Sequence, residues 1–105
     1  MLLAEFSIWP MDKGVSVAPY VARALDVIDR SGLAYKVGPL GTCIEGEYDD
    51  VMAVVRACHE ALWADSDRVM CSLKMDWRRG RVNGRPHHQH DQSSQASHCV
   101  LPEQD

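Results

Sequence analysis

The sequence predicts an α+β fold in which four strands and two helices follow one another in the order βαββαβ. In four short stretches apolar residues alternate with a period of two, as in strands with one buried face. Between the first and second stretches, and again between the third and fourth, apolar residues recur at helical spacing. The chain has 105 residues, of which 46% are apolar and 25% charged, and this composition is typical of one globular domain.

The first strand and the first helix are separated by a proline and a turn. The strand is expected over Leu2–Trp9, and Pro10 ends it because proline has no amide hydrogen for a strand ladder. Ser16 is the candidate N-cap of the helix, and Gly32 marks its end. The apolar stripe of this helix consists of Val17, Val21, Ala24, Leu25 and Ile28.

The middle of the chain has the pattern of a hairpin followed by a second helix. Leu33–Val37 and Thr42–Glu47 are short strands, and the turn residues Gly38–Gly41 between them favour antiparallel pairing. Asp49 or Asp50 is expected to cap the second helix. The apolar stripe of that helix consists of Val51, Val54, Val55, Cys58 and Leu62.

The last strand, Arg68–Arg78, completes a ferredoxin-like arrangement. Two right-handed crossovers then place both helices on one face of a four-stranded antiparallel sheet, in a domain that spans residues 1–79. The other face, called here the helix-free face, is expected to be uncovered. Alternation assigns to it Leu3, Glu5, Ser7 and Trp9 of the first strand and Met70, Ser72, Lys74 and Asp76 of the last.

Alternation alone leaves the orientation of the third strand open. Either Thr42, Ile44 and Gly46 or Cys43, Glu45 and Glu47 lie on the helix-free face. The second set is favoured, because Ile44 suits the core and Gly46 permits a helix to approach closely. The helix-free face then mixes apolar and charged side chains, which is typical of a subunit contact or a ligand site and predicts self-association through this face.

Residues 80–105 differ in composition from the rest of the chain. They are rich in Gly, Gln, Ser and His and poor in apolar residues, so we expect a polar, disordered, His-rich tail. Its metal-binding potential comes from His87, His88, His90, Asp91, His98 and Cys99. Because no partner ligands are fixed elsewhere in the sequence, we predict no metal site.

Charge and composition exclude several classes of protein. A net charge of −4 argues against binding to nucleic acid, and no apolar run reaches the roughly 18–20 residues of a membrane span. The first residues lack the basic start of a secretion signal. The four cysteines contain no C-x-x-C pair, which favours reduced thiols in the cytoplasm over disulfides or a structural zinc site.

The sequence contains no recognisable catalytic constellation. Neither a phosphate-binding G-x-x-x-x-G-K-[ST] loop nor a G-x-G-x-x-G turn is present, and no nucleophile stands beside an evident base. We therefore predict a protein that is not an enzyme and has no catalytic residues. An enzyme acting on a small heterocycle remains a minor alternative, with Glu45 and Asp76 as its only candidate acid–base pair.

Several short motifs resemble the YkoF-like thiamine-binding proteins. They are Ala4-Glu5-Phe6-Ser7-Ile8, Ser31-Gly32-Leu33-Ala34-Tyr35, Cys58-His59-Glu60, Lys74-Met75-Asp76 and, most specifically, Gly38-Pro39-Leu40-Gly41-Thr42-Cys43-Ile44-Glu45-Gly46. The resemblance implies a ferredoxin-like domain that binds thiamine or its hydroxymethylpyrimidine moiety without turnover, for sequestration, delivery or sensing. It also implies dimers or tetramers that assemble through their sheets, with thiamine as a bound ligand and no other cofactor.

Residues with suitable chemistry for such a ligand are present in the predicted domain. The Glu45 carboxylate is suited to accept a hydrogen bond from the aminopyrimidine or to offset the thiazolium charge. Trp9 or Tyr20 is suited to stack on a ring or to face the cation. The hydroxyl-bearing candidates are Ser7, Ser16 and Thr42.

Structural alternatives stand beside these assignments. The alternative role of Ser16 is that of a helix cap only. The alternative role of Tyr20 is to pack at the start of the helix. The alternative role of Glu45 is to form an ion pair with Lys36 or Lys74. The alternative role of Trp9 is to anchor a subunit contact. The competing function is a structural or regulatory protein-interaction module with no small-molecule ligand.

Overall fold

The computed structural model describes residues 1–80 and confirms the ferredoxin-like arrangement. The sheet has the strand order β2-β3-β1-β4, and every neighbouring pair is antiparallel. Apart from Gly80, the predicted tail and its histidine tract lie outside the described residues. The elements are β1 (Leu2–Pro10), α1 (Ala18–Arg30), β2 (Ala34–Val37), β3 (Thr42–Gly46), α2 (Tyr48–Trp63) and β4 (Val69–Trp77).

Both helices pack on the same face of the sheet, as predicted. The buried residues of α2 are the five members of its predicted stripe, whereas α1 buries only Ala24 and Ile28. Val21 of the α1 stripe remains exposed and Leu25 is half-buried. The core between the layers is completed by Leu2, Ala4, Phe6 and Ile8 of β1 and Ile44 of β3.

Both predicted helix caps are wrong by one or more residues. Val17 rather than Ser16 is the N-cap of α1, because the Val17 carbonyl already accepts the amides of Tyr20 and Val21. The N-cap of α2 is Glu47, since this helix begins directly after β3. Asp49 and Asp50 therefore lie in the first turn, where their charge is favourable beside the positive end of the helix dipole.

The β1–β3 register confirms the favoured orientation of β3. Ala4 lies opposite Ile44 and Leu3 opposite Glu45, so Ile44 points to the core and Glu45 to the helix-free face. At Gly46, an added Cβ would lie 3.3 Å from Leu33 and 3.4 Å from Val51. The absence of a side chain there allows α2 to pack closely on β3.

The helix-free face is only partly exposed. Met70 on β4 is exposed, but Leu3 and Cys43 are buried and pack with Ala34 in a second apolar cluster. Glu45 is also buried. The expectation of an uncovered face is therefore wrong at Leu3, Cys43 and Glu45, whose side chains are buried, and correct along β4, where Met70, Ser72 and Lys74 are exposed.

The cysteines of the described residues differ in redox state. Cys58 and Cys71 are free, and burial raises the pKa of Cys58 to about 11, so its thiol behaves as an apolar core group. Cys43 is disulfide-bonded, which overturns the expectation of reduced thiols for this residue. Spacing along the sequence reveals C-x-x-C pairs, but it carries no information on cysteines brought together by the fold.

Asp12 links the two loops at one end of the β1–β4 pair. The Ser66 hydroxyl donates to Asp12 Oδ1, and the Asp67 amide donates to Asp12 Oδ2 at 2.7 Å. These two hydrogen bonds, the one from Ser66 being the stronger influence, lower the pKa of the Asp12 carboxyl. The loop that leads into β4 is thus held by an ionised carboxylate.

We expect Asp12→Asn to lower the melting temperature at neutral pH. In acid, we expect the melting temperatures of the variant and the wild type to become equal. A lowered folded-state pKa stabilises the fold above the unfolded pKa of about 3.9, and this contribution is lost as pH falls through the folded-state value. Circular dichroism melts between neutral pH and about pH 2 measure the effect. Asp26→Asn, which removes an exposed ion pair with Arg30, is the control. A difference in melting temperature that stays constant with pH would contradict the account.

Candidate functional site

A pocket of about 290 Å³ lies between the end of β1, the inner side of α1 and the β2–β3 turn. The β1–β3 ladder stops at the Phe6–Thr42 pair, whereas β1 continues to Pro10. In the part of the chain that the structure describes, residues 7–10 therefore have no neighbouring strand on this side. The pocket occupies this gap in the sheet, and α1 covers it from the helix side.

The β2–β3 turn is held close to β1 by hydrogen bonds and by a glycine. The Gly38 amide donates to the Gly41 carbonyl at 2.8 Å, and Ser7 Oγ donates to the Leu40 carbonyl at 3.0 Å. A Cβ at Gly41 would lie 2.9 Å from Ser7 Oγ and 3.1 Å from the Phe6 carbonyl oxygen. Only a residue without a side chain permits the turn to form this wall of the pocket.

The pocket is lined entirely by uncharged residues. Its polar lining residues are Ser7, Trp9 and Thr42; alternation puts the Thr42 side chain on the helix side and those of Ser7 and Trp9 on the helix-free face, while the turn adds backbone groups. A phosphate or carboxylate bound here would be desolvated without a charged partner, which is costly. The apolar walls come from Phe6, Ile8, Val21, Ala24, Leu25, Ile28, Val37, Pro39 and Leu40. This chemistry suits a small, flat and largely apolar ligand with a few hydrogen-bonding groups.

The structure brings three of the six predicted site residues together. Ser7, Trp9 and Thr42 line the pocket, and Ser16 and Tyr20 lie outside its lining. Ser16 is exposed. The Tyr20 ring packs against the core, and its centroid lies 5.7 Å from Lys13 Nζ and 5.1 Å from the Arg23 guanidinium carbon.

Glu45 lies on the other side of the sheet from Thr42. It is 8% exposed, with Leu3 and Ala34 opposite it on the neighbouring strands, and it is not part of the pocket lining. The two residues are three positions apart on one strand, and odd spacings place side chains on opposite faces. One ligand in the pocket therefore contacts Thr42 without reaching Glu45.

The pocket walls contributed by α1 and the turn were not predicted as site residues. The spacing of Ala24, Leu25 and Ile28 marks a buried helix face and therefore predicts core residues rather than a site. The feature of the sequence that indicates this pocket is the difference in length between the expected first and third strands. A long strand beside a short one leaves an unpaired end, over which a helix can enclose a cavity.

An ion pair holds α1 in place over the pocket. Arg23 Nη1 donates to Asp65 Oδ1 at 3.0 Å and to the Ala61 carbonyl at 3.0 Å, which joins α1 to the end of α2. The Arg23 hydrogen bond lowers the pKa of Asp65, and Asp65 in turn raises the pKa of Arg23. Both groups are thus charged at neutral pH, and this link positions the helix that covers the pocket.

Residues 1–80 contain neither a cluster suited to a metal ion nor a helix suited to cross a membrane. This region holds no group of three or more His, Cys, Asp or Glu side chains arranged to bind a metal ion. None of its helices has the length and apolar character required to cross a membrane.

Comparison with known proteins identifies the family. The profile of a family described as "Thiamine-binding protein" matches residues 4–92. The chain belongs to this family. The UPF0045 protein of Methanocaldococcus jannaschii is 37% identical over 82 residues, covering 78% of this chain and 82% of the relative. A UPF0045 protein of Methanothermobacter thermautotrophicus is 38% identical over 87 residues, covering 80% and 88%.

Solved structures of other proteins have the same fold. The crystal structure of the M. jannaschii protein superposes with a TM-score of 0.73 at 35% identity, covering 82% of this chain and 89% of that one. A Thermotoga maritima protein provisionally assigned to thiamine biosynthesis or salvage superposes with a TM-score of 0.72, covering 87% and 98%. At 22% identity, this second similarity is informative about the fold alone.

Proposed function

We propose that this protein binds thiamine or its hydroxymethylpyrimidine moiety in the pocket between β1, α1 and the β2–β3 turn, without chemical turnover. Membership of a family named for thiamine binding supports the ligand class. The uncharged pocket of about 290 Å³ supports this location for the ligand, and it is the observation that carries the proposal. The role would be sequestration, delivery or sensing of the vitamin.

The chemistry of the pocket matches the aminopyrimidine ring. This ring presents a ring nitrogen that accepts and an exocyclic amine that donates, side by side. The unpaired edge of β1 at residues 7–10 offers backbone donors and acceptors in the same plane. In this proposal Trp9 borders the ring from the helix-free side of the gap, and the Thr42 hydroxyl hydrogen-bonds to the periphery of the ring. Ser7 contributes by holding the turn through Leu40.

The same pocket favours unphosphorylated ligands. Among its lining residues there is no lysine, arginine or histidine to pair with a phosphate group. We therefore expect thiamine monophosphate to bind at least about tenfold more weakly than thiamine, equivalent to 1.4 kcal/mol. Competition titration of the two ligands at neutral pH measures the ratio. Tighter binding of the phosphorylated form would contradict this placement of the ligand.

The proposal retains two further features predicted from the sequence. One is a homodimer or homotetramer that forms through the helix-free face, for which the exposed Met70 and the half-buried Trp9 provide apolar contact area. The other is a cytoplasmic location, which the free thiols of Cys58 and Cys71 support and the disulfide of Cys43 does not.

Isothermal titration calorimetry with thiamine tests the proposal. We expect micromolar or tighter binding, which Thr42→Val weakens by about three- to tenfold, because it replaces a hydroxyl that bonds the ligand with a methyl group of similar size. Glu45→Gln is the informative companion, since Glu45 faces the other side of the sheet. If Glu45→Gln weakens binding and Thr42→Val does not, the ligand lies on the helix-free face. No heat at millimolar thiamine would favour a protein-interaction module instead.

A further inference from the structure

The uncharged pocket leaves one half of the proposed ligand without a counter-charge. Thiamine carries a permanent positive charge on its thiazolium ring, and no residue that lines the pocket is acidic. Moving a cation out of water without a nearby anion is costly. The aminopyrimidine half matches the pocket, so an acidic side chain close to the pocket would favour the cationic half of the ligand.

Most acidic side chains on the elements around the pocket already have partners. Asp26 of α1 and Asp65 beyond α2 each form an ion pair with an arginine. Asp29 accepts a hydrogen bond from the Tyr35 hydroxyl at 2.8 Å. Asp12, after the end of β1, is held by the loop that leads into β4. These carboxylates are committed to the fold.

Glu5 lies directly behind the β2–β3 turn, on the helix-free face. With Cys43 and the turn residues Gly38–Gly41 it lines a second, small cavity of about 30 Å³. An added Cβ at Gly41 would lie 3.4 Å from Glu5 Cγ. The same four turn residues line the ligand pocket on the other side. One layer of backbone therefore separates the Glu5 side chain from the pocket.

The Glu5 carboxylate is not committed to a partner in the way that the other acids are. Within residues 1–80, neither Glu5 nor Lys74, which lies opposite it on β4, takes part in an ion pair or a side-chain hydrogen bond. Glu5 is half-buried, whereas Lys74 is exposed. Water screens a half-buried charge less than an exposed one, so the field of Glu5 reaches further into its surroundings.

We propose that Glu5 determines the preference of this site for a cationic ligand. Bound thiamine places its aminopyrimidine in the pocket and its thiazolium ring at the side of the β2–β3 turn, where the Glu5 carboxylate attracts it across the turn. This inference rests on the proposed function and adds the determinant of charge selectivity. The attraction is coulombic and requires no direct contact, so it acts on thiamine and not on neutral hydroxymethylpyrimidine.

Two charge variants of the full chain test this role by calorimetric titration at slightly alkaline pH, where hydroxymethylpyrimidine is neutral. We expect Glu5→Gln to weaken thiamine binding by roughly two- to tenfold and to leave the affinity for hydroxymethylpyrimidine unchanged. Lys74→Gln removes the cation opposite Glu5 and should strengthen thiamine binding by roughly two- to threefold. Glu47→Gln, exposed at the other end of β3, is the control for net charge.

The two ligands distinguish failure of this inference from failure of the proposed function. If the wild type binds neither ligand, both fall. If the wild type binds thiamine and Glu5→Gln binds it equally well, or if Glu47→Gln weakens binding as much as Glu5→Gln, only the role of Glu5 is overturned. Equal weakening of both ligands in Glu5→Gln would also overturn it, because that result indicates a change in pocket shape. Where hydroxymethylpyrimidine binds too weakly to titrate, the opposite effects of Glu5→Gln and Lys74→Gln on thiamine binding decide, and effects of the same sign contradict the proposal.

Discussion

Replacing Gly41 with alanine is expected to weaken thiamine binding by at least about tenfold while the domain remains folded. The new Cβ would lie 2.9 Å from Ser7 Oγ and 3.1 Å from the Phe6 carbonyl oxygen. The hydroxyl can rotate away, but the backbone carbonyl cannot, so the turn must retreat from β1. A shift of a few tenths of an ångström displaces the wall that the turn supplies to the pocket. Calorimetric titration of Gly41→Ala and wild type with thiamine measures the loss.

Gly14→Ala provides the matched glycine control. Gly14 has a positive φ of 62°, and an added Cβ there meets nothing within 4 Å. Alanine at this position should lower the free energy of unfolding by about 1–2 kcal/mol through backbone strain, and leave thiamine binding unchanged. Wild-type affinity in Gly41→Ala would show that the turn forms no part of the ligand site.

Truncation of Ile28 to alanine is expected to give the largest loss of stability that also affects the pocket. Ile28 is fully buried in the core, and its side chain also lines the pocket. Loss of a buried isoleucine side chain to alanine typically lowers the free energy of unfolding by about 2–5 kcal/mol, which is a large share of the roughly 5–15 kcal/mol of a small domain. The enlarged pocket should also bind thiamine several-fold more weakly.

Leu62→Ala separates these two consequences. Leu62 is equally buried in the core, but it belongs to α2 and is not part of the pocket lining. Urea unfolding should reveal a similar loss of stability in both variants, and titration of the folded proteins should reveal weaker thiamine binding only in Ile28→Ala. Equal affinities in the two variants would exclude Ile28 from the binding surface.

The sheet and its faces were predictable because period-two alternation is read directly from the residues. Because neighbours on a strand point to opposite faces, the assignment of Ile44 to the core also places the Glu45 side chain on the helix-free face. The same rule places Thr42 and Glu45 apart, so a site that includes both residues was already inconsistent with the predicted pleat. The structure resolves the conflict by placing Thr42, but not Glu45, in the pocket.

The pocket and the helix starts depended on features that residue type does not encode. The pocket exists because β1 is nine residues long and β3 five, which leaves the end of β1 unpaired beneath α1. The start of α2 is fixed by the end of β3, so Glu47 is its cap although Asp49 and Asp50 have better capping side chains.

The most direct test is to follow backbone amide resonances of the labelled protein by NMR during titration with thiamine. If the vitamin occupies the gap beside the end of β1, signals of Ser7, Trp9, Gly41 and Thr42 will move in concert and saturate at a stoichiometry of about one. Unchanged spectra at millimolar thiamine, or movement confined to residues around Glu45 on the far side of the sheet, would contradict the account.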